Sequence, residues 1–284
     1  MTLSIQRIHP VVGTEVSGVS VGSNLDSGSF QQIYQAWLDG GGLLILRDQE
    51  LSPEEHIAFS RRFGELDPLE GQTVMPYLLP GYPEIYRVSN KVKDGVKQGR
   101  QRAGTYWHSD NSHKEYAAKA SLLHGIEVPP YGGDTLFAGM AAAYQALSGT
   151  MQRLLGGLRC IHDFEKAKSG SFKNETVTDR HLNATPAISH PLVRTHPETG
   201  AKCLYLNAGV VTHIEGMTAE ESAPLLDFLY AHCTRPEFVY RHRWRRNDLL
   251  VWDNRCLMHY AVADYDGVGD RYMHRTTVWG DRPV

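Results

Sequence analysis

Cysteine is scarce in this chain and never falls into a motif. Cys160, Cys203, Cys233 and Cys256 are scattered along 284 residues with no C-x-x-C spacing. That excludes a zinc ribbon and a thioredoxin-like site, and it offers no disulfide framework. Reduced thiols in a cytoplasmic protein are the expectation. Long apolar runs are missing too. No stretch approaches the roughly 18 apolar residues of a membrane span, and "MTLSIQRIHPVVGTEVSGVS" lacks the apolar centre of a signal peptide. Charge of one sign is not in excess: 29 Lys plus Arg stand against 32 Asp plus Glu, a net charge of -3. Neither nucleic acid nor a membrane is therefore an expected partner. There is no internal repeat, low-complexity run or interdomain linker, so one domain spanning residues 1–284 is expected, long enough to bury a substantial core.

The pattern that remains is strand-rich. In "GGGLLILRDQELSPEEHIAFSRRFGEL" a glycine turn leads to a short apolar strand at Leu43–Leu46 and then to a helix. Ser52, Pro53 and Glu55 predict a capping box with proline at the first helical position. A strand over Ile85–Val88 runs into a glycine-spaced segment carrying Lys91, Lys93, Lys97, Arg100 and Arg102. Residues 89–104 are either a solvated loop or a mobile cationic lid suited to an anionic ligand. "AKASLLHGIEVPPYGGDTLFAGM" predicts two strands joined by a Pro/Gly turn, and "AAAYQALSGTMQRLLGGL" one helix or two short ones. "HPLVRTHPETGAKCLYLN" predicts a hairpin. "TAEESAPLLDFLYAHCTR" predicts a helix in its later part, with the start obscured by Pro224. The segments "EFVYRHRW", "DLLVWDN" and "RYMHRTTVWG" are further strands. Many antiparallel strands with a few helices between them predict a β-sandwich or barrel with flanking helices.

Histidine is the residue in surplus, with 14 in the chain. "TYWHSDNSH" places His108 and Asp110 two apart, on the same face of an extended strand. His259, in "LLVWDNRCLMHYAVADY", follows an apolar strand and a polar turn and is the third candidate ligand. Two imidazoles and one carboxylate make the facial triad of non-haem Fe(II) oxygenases, which leaves coordination positions open for a chelating cosubstrate and dioxygen. Arg271 and Arg275 in "DRYMHRTTVWG" would share a strand face. A buried arginine needs an anion to offset its desolvation, and a dicarboxylate spanning metal and arginine meets that need. Thr135, in "GGDTLF", would add a hydroxyl hydrogen bond to the same carboxylate. A Zn(II) hydrolase on the same three ligands is the rival reading, but it has no use for Arg271 and lacks an obvious general base. A jelly-roll binding protein without turnover is another, although it would be expected to have lost a ligand or the arginine. The remaining histidines, including His113, His124, His162, His190, His196, His213 and His242, are assigned by default to polar surface or hydrogen-bonded core. Trp107 and Trp252 are assigned to packing, and Arg243, Arg245 and Arg246 to a solvated strand edge.

These stretches in this order, "HIAFSRRFGEL", "WHSD", "GGDTLF", "AAAYQALS", "HPLVRTHPETG", "LYLN", "RPEFVY", "VWDNR" and "MHRTTV", resemble the family of taurine dioxygenase and 2,4-dichlorophenoxyacetate dioxygenase. These are Fe(II)- and 2-oxoglutarate-dependent enzymes, and the resemblance covers nearly the whole chain. It implies a mainly β fold, a double-stranded β-helix or jelly roll of the clavaminate synthase type with helices packed outside. By the same resemblance His108, Asp110 and His259 are the iron ligands, and Arg271 pairs with the distal carboxylate of 2-oxoglutarate, helped by Thr135. Arg275 and the backbone amide of Asn111 meet the anionic group of the substrate. The implied reaction consumes O2, releases succinate and CO2, and hydroxylates a C–H of a small anionic substrate of the sulfonate, sulfate ester or aryloxyalkanoate type. A biosynthetic amino-acid-like substrate is the alternative; Asp110 argues against halogenation. The segment "DPLEGQTVMPYLLPGYPE" carries no histidine, and Lys166, Lys168 and Val210 stand where the family has aromatic pocket residues, so taurine itself is disfavoured. A cytoplasmic homo-oligomer, dimer or tetramer, is expected.

Overall fold

A computed structural model describes residues 3–22, 24–69, 77–169 and 186–284, with the side chains of residues 168 and 169 outside that description. Its centre is an eight-stranded sheet built from β1 (Ser4–Arg7), β2 (Thr14–Ser17), β3 (Leu43–Leu46), β4 (Leu78–Leu79), β5 (Tyr82–Ser89), β8 (Ala118–Glu127), β16 (Leu249–Asp253) and β18 (Tyr272–Trp279). The spatial order is β1-β2-β3-β16-β8-β18-β5-β4. Neighbours run antiparallel except the β2–β3 pair, which is parallel. Among the described residues four smaller sheets accompany it: β15 (Val239–His242), β9 (Thr135–Gly139) and β17 (Leu257–Ala261); β11 (Ile188–Pro191), β10 (Arg159–His162) and β14 (Val211–Ile214); the hairpin β12 (Val193–Thr195) with β13 (Lys202–Leu204); and the hairpin β6 (Val92–Lys93) with β7 (Val96–Lys97). This is a jelly roll.

The period-2 rule sorts the large sheet into two faces. Leu43, Ile45, Leu123, Leu250, Trp252 and Met273 turn inward and meet Phe137 and Leu257 from the smaller sheet. Leu44, Leu46, Ala120, Leu122, Leu249, Val251 and Val278 turn outward, onto Ile33 and Trp37 of α1 (Ser27–Asp39) and Ile57 and Phe59 of α2 (Pro53–Arg61). Every residue of β3 and β16 is buried, as expected for strands covered on both faces. A second helical layer, α3 (Met140–Gln145), α4 (Gly149–Leu155) and α6 (Ala219–Cys233), packs around Leu192, Cys203, Leu204 and Val211. The short α5 (Phe164–Ser169) lies between β10 and the undescribed stretch that follows it.

The capping box at Ser52 and Glu55 forms as expected. The helix after residue 217 starts earlier than expected, at Ala219, with Pro224 inside it. A second capping box, Thr218 with Glu221, fixes the first turn, and Leu226, Leu229 and Cys233 bury the inner stripe. The cap and the burial offset the hydrogen bond that proline cannot donate.

Candidate active site

His259 is the central residue of β17, with its backbone paired to Phe137 of β9 and its ring 4.7 Å from that of Trp252. His108 reaches it from another part of the chain. The two residues exchange both backbone hydrogen bonds, His108 N to His259 O at 3.1 Å and His259 N to His108 O at 2.8 Å. Such a pair presents its side chains on one face, and the two rings lie 4.0 Å apart, centroid to centroid. The expected H-x-D strand does not form. His108 makes an isolated bridge, and at Asp110 the chain enters a turn in which Asn111 takes a left-handed φ of 55°. The turn is pinned from the β16–β17 connection: Ser109 Oγ donates to Leu257 O at 2.8 Å, and Asn254 Oδ1 accepts from Asp110 N at 3.0 Å. The convergence comes from this pinning rather than from strand alternation.

The three side chains bring one ligand atom each to within 4.8 Å of one another. His108 Nε2 lies 3.7 Å from Asp110 Oδ1, and His259 Nε2 lies 3.7 Å from Asp110 Oδ2. His108 Nδ1 is 2.8 Å from Tyr106 O, which fixes the proton there and turns the Nε2 lone pair toward the site. Burial pushes both imidazoles below their ordinary range, His259 further than His108. Burial alone would raise the Asp110 carboxyl, but the Arg275 guanidinium and the adjoining imidazoles outweigh it and hold the group well below the usual carboxylate range. Neutral imidazoles and an ionised carboxylate are the protonation states that metal binding requires.

Behind Asp110 stands a closed set of hydrogen bonds between residues that no sequence pattern links. Ser121 Oγ donates to Asp110 Oδ2 at 2.7 Å and accepts from Asn254 Nδ2 at 3.0 Å, while Asn254 Oδ1 also accepts from Trp252 Nε1 at 3.2 Å. Asn254 is the last letter of the "WDN" stretch, the one signal that could have pointed to it.

The two arginines do not occupy equivalent places. Arg271 lies just before β18, and the ladder between β18 and β8 shifts register between Tyr272 and Met273, so the two arginines are not two positions of one regular strand. Arg275 donates to Asp110 Oδ1 at 3.0 Å and lies over the Tyr86 ring, while its Nε is buried with no partner. Arg271 is buried between the rings of Trp244 and Tyr265, each 5.8 Å from its guanidinium carbon, with Nε on Gly133 O at 3.2 Å. Among the described residues no carboxylate forms an ion pair with it. Asp134, the nearest acidic neighbour in sequence to Gly133, is held by Arg241 at 2.6 Å. Gly133 has φ 67°, and a Cβ there would meet Arg271 Cδ at 3.1 Å, so the second glycine of "GGDT" makes room for the arginine. Thr135 Oγ1 accepts from Trp244 Nε1 at 3.0 Å, which leaves the hydroxyl proton to donate. The Asn111 side chain is engaged by Asp67, 2.9 Å away.

The basic segment 89–104 is less cationic toward the site than its composition suggests. It carries a small hairpin, β6 (Val92–Lys93) with β7 (Val96–Lys97), whose four residues are exposed. Lys91 pairs with Glu127 at the end of β8 and Arg102 with Asp266, so neighbouring acids neutralise two of the expected cations. Lys166 Nζ donates to Val211 O at 2.5 Å, and Val210 is buried with Phe164 and Ala167. The Lys168 side chain, and residues 70–76 of "DPLEGQTVMPY", lie outside the described residues.

A second gathering of potential ligands, His196, Asp253 and Cys256, lies elsewhere in the core. His196 Nδ1 accepts from the amides of Glu198 and Thr199, so its Nε2 carries the proton donated to Asp253 Oδ2 at 3.0 Å. Both oxygens of Asp253 also accept from Arg255, at 2.8 and 2.6 Å. No imidazole lone pair is left over for a metal.

The chain is similar to known proteins over nearly its whole length. Residues 4–277 match the taurine catabolism dioxygenase TauD, TfdA family. The chain is 36% identical over the full length of both proteins to the α-ketoglutarate-dependent 2,4-dichlorophenoxyacetate dioxygenase of Cupriavidus pinatubonensis. It is 32% identical to the α-ketoglutarate-dependent sulfate ester dioxygenase of Pseudomonas putida, over 98% of this chain and 90% of that one. A crystal structure of a taurine dioxygenase from Burkholderia xenovorans superposes with a TM-score of 0.82 at 34% identity, covering 99% of this chain and 92% of the other. The chain belongs to the TauD/TfdA family of 2-oxoglutarate-dependent dioxygenases.

Proposed function

We propose that this dioxygenase uses Fe(II) held by His108, Asp110 and His259 to hydroxylate a C–H bond of a small organic anion, of the aryloxyalkanoate, sulfate ester or sulfonate type. The observation that carries the reading is the pairing of this triad with a buried arginine, Arg271, that has no carboxylate partner among the described residues. An unpaired buried guanidinium is costly, and the distal carboxylate of 2-oxoglutarate supplies an anion to offset it. With iron, 2-oxoglutarate and dioxygen bound, the centre supplies oxidative decarboxylation to succinate and CO2 coupled to hydroxylation.

The chain's own residues do the rest. Arg271 and Thr135 grip the cosubstrate's far end, and the rings of Trp244 and Tyr265 keep water from that grip. Ser121 and Asn254 hold the Asp110 carboxylate in one orientation. Arg275 and the Asn111 amide supply the hydrogen bonds for the substrate anion, and this sets the distance between the reacting C–H and the metal. The family's sulfate ester and dichlorophenoxyacetate enzymes act on anions too, which supports this class.

The test is an anaerobic visible spectrum on adding Fe(II) and then 2-oxoglutarate, repeated for His108→Ala and Arg271→Ala. A weak charge-transfer band is expected that vanishes without His108 and weakens without Arg271. Succinate release is then assayed with 2,4-dichlorophenoxyacetate, n-hexyl sulfate and taurine. Folded protein without the band would refute the metal reading; the band without stimulated succinate release would refute the substrate class.

A further inference from the structure

The stretch that follows "FGEL" begins with an aspartate, and that residue is buried and bonded to the turn that follows Asp110. Asp67 sits at the end of a short pairing with β18: Trp279 N donates to Glu65 O at 2.8 Å, Leu66 bridges Val278, and Asp67 N donates to Thr277 O at 2.8 Å. Its carboxylate is 1% exposed, and Oδ2 accepts two hydrogen bonds, from Asn111 Nδ2 at 2.9 Å and from Lys114 Nζ at 2.8 Å. Lys114 closes the arrangement, since its backbone N–H donates to Asn111 O at 2.9 Å and its ammonium lies 4.8 Å from the centre of the Trp279 ring.

Asn111 stands at φ 55° immediately after Asp110, in the left-handed region where Asn is tolerated and most residues are not. Its backbone N–H donates to no described residue. Thr277, which accepts from the Asp67 amide, lies two positions along the strand from Arg275, about 7 Å away. One aspartate therefore ties the turn that carries a free amide to the strand that carries a guanidinium with an unpartnered buried Nε.

We infer that Asp67 is a positioning residue for substrate specificity: by clamping the Asn111–Lys114 turn to β18 it holds the Asn111 amide in register with Arg275, so that both can grip one oxyanion of the substrate. The identity of that oxyanion rests on the proposed function. Asp67 touches neither metal nor substrate and acts through Asn111.

The test is a cycle of Asp67→Ala, Asn111→Gly and the double variant in the iron-loaded enzyme, with 2,4-dichlorophenoxyacetate and n-hexyl sulfate as probes. Asp67→Ala is expected to raise the substrate KM about tenfold, the worth of one well-aligned hydrogen bond, while the cosubstrate KM changes less than about twofold. Glycine adopts the left-handed turn without help and has no side chain for Asp67 to hold. In the Asn111→Gly background, Asp67→Ala should therefore add little. Asp67→Asn, which keeps an acceptor, should recover part of the loss. Full additivity of the two substitutions, or an equal rise in both KM values, overturns the inference. Hydrogen exchange over residues 108–114 is measured alongside, and faster exchange in Asp67→Ala is expected. If wild-type enzyme turns over neither probe, the substrate reading fails separately, and exchange decides the clamp: unchanged exchange overturns it.

Discussion

Among the described residues two places gather three potential metal ligands within 4.8 Å, and only one of the two has electrons to give. At His196, Asp253 and Cys256 every polar atom of the imidazole and carboxylate is spent. The histidine accepts two backbone amides and donates to the aspartate, which is also gripped by Arg255. Burial raises the Cys256 thiol well above its ordinary range, so it offers no thiolate. At His108, Asp110 and His259 the imidazoles are buried and neutral, with Nε2 atoms aimed at a carboxylate too far away for hydrogen bonds, 3.7 Å in each case. Histidine, aspartate and proximity are common to both places. What differs is whether the hydrogen bonds have already been made. The first cluster ties a hairpin to a strand end through Glu198 and Arg255, 2.6 Å apart; the second is left open to bind.

The two sites separate most visibly at the ligands themselves. His108→Ala should abolish metal binding and lower 2-oxoglutarate turnover by at least about a thousandfold, whereas His196→Ala should keep full metal content and lose stability alone. Metal analysis and thermal unfolding of the two variants make the check, and metal loss in His196→Ala would merge the two sites. A smaller effect is expected behind the ligands. Asn254→Ala removes the acceptor for Asp110 N and the donor to Ser121, and should weaken metal affinity by about ten- to a hundredfold, read by titration with Co(II).

The smallest effect comes from imidazoles outside both clusters. Burial pulls His190 and His274 from 6.5 down to about 4 in the folded chain. The unfolded chain binds those protons first as the pH falls, so each group's stabilisation is intact above about 6.5 and is lost progressively toward 4. The melting temperature should fall over that window, with a shallower slope for His190→Gln, in metal-free and metal-loaded protein alike.

Some of this is legible in the chain and some is not, residue by residue. The strand at Leu43–Leu46, the Ser52 capping box and the hairpin around Pro197–Gly200 are local patterns, and local patterns read directly. Pro224 misleads because the cap formed by Thr218 and Glu221 outweighs one missing hydrogen bond. The H-x-D spacing points to two residues that do converge, but for another reason than strand alternation, since a bridge to β17 and a turn face them together. Ser121, Asn254 and Asp67 could not be read as supports of Asp110 and Asn111, because their partners lie 11, 144 and 44 residues away. Lys91 and Arg102 likewise read as free cations in one dimension, and only folding brings Glu127 and Asp266 beside them.

By itself, the sequence determined the family, the strand-rich character and a candidate set of three ligand-type residues, because ordered motifs and side-chain types are carried in one dimension. The tertiary structure alone decided which of two His/Asp clusters keeps its lone pairs, which arginine lacks a counter-ion, and which aspartate holds the turn beside it. Those are questions of hydrogen-bond saturation and charge pairing, and both depend on neighbours that the chain supplies only when it folds.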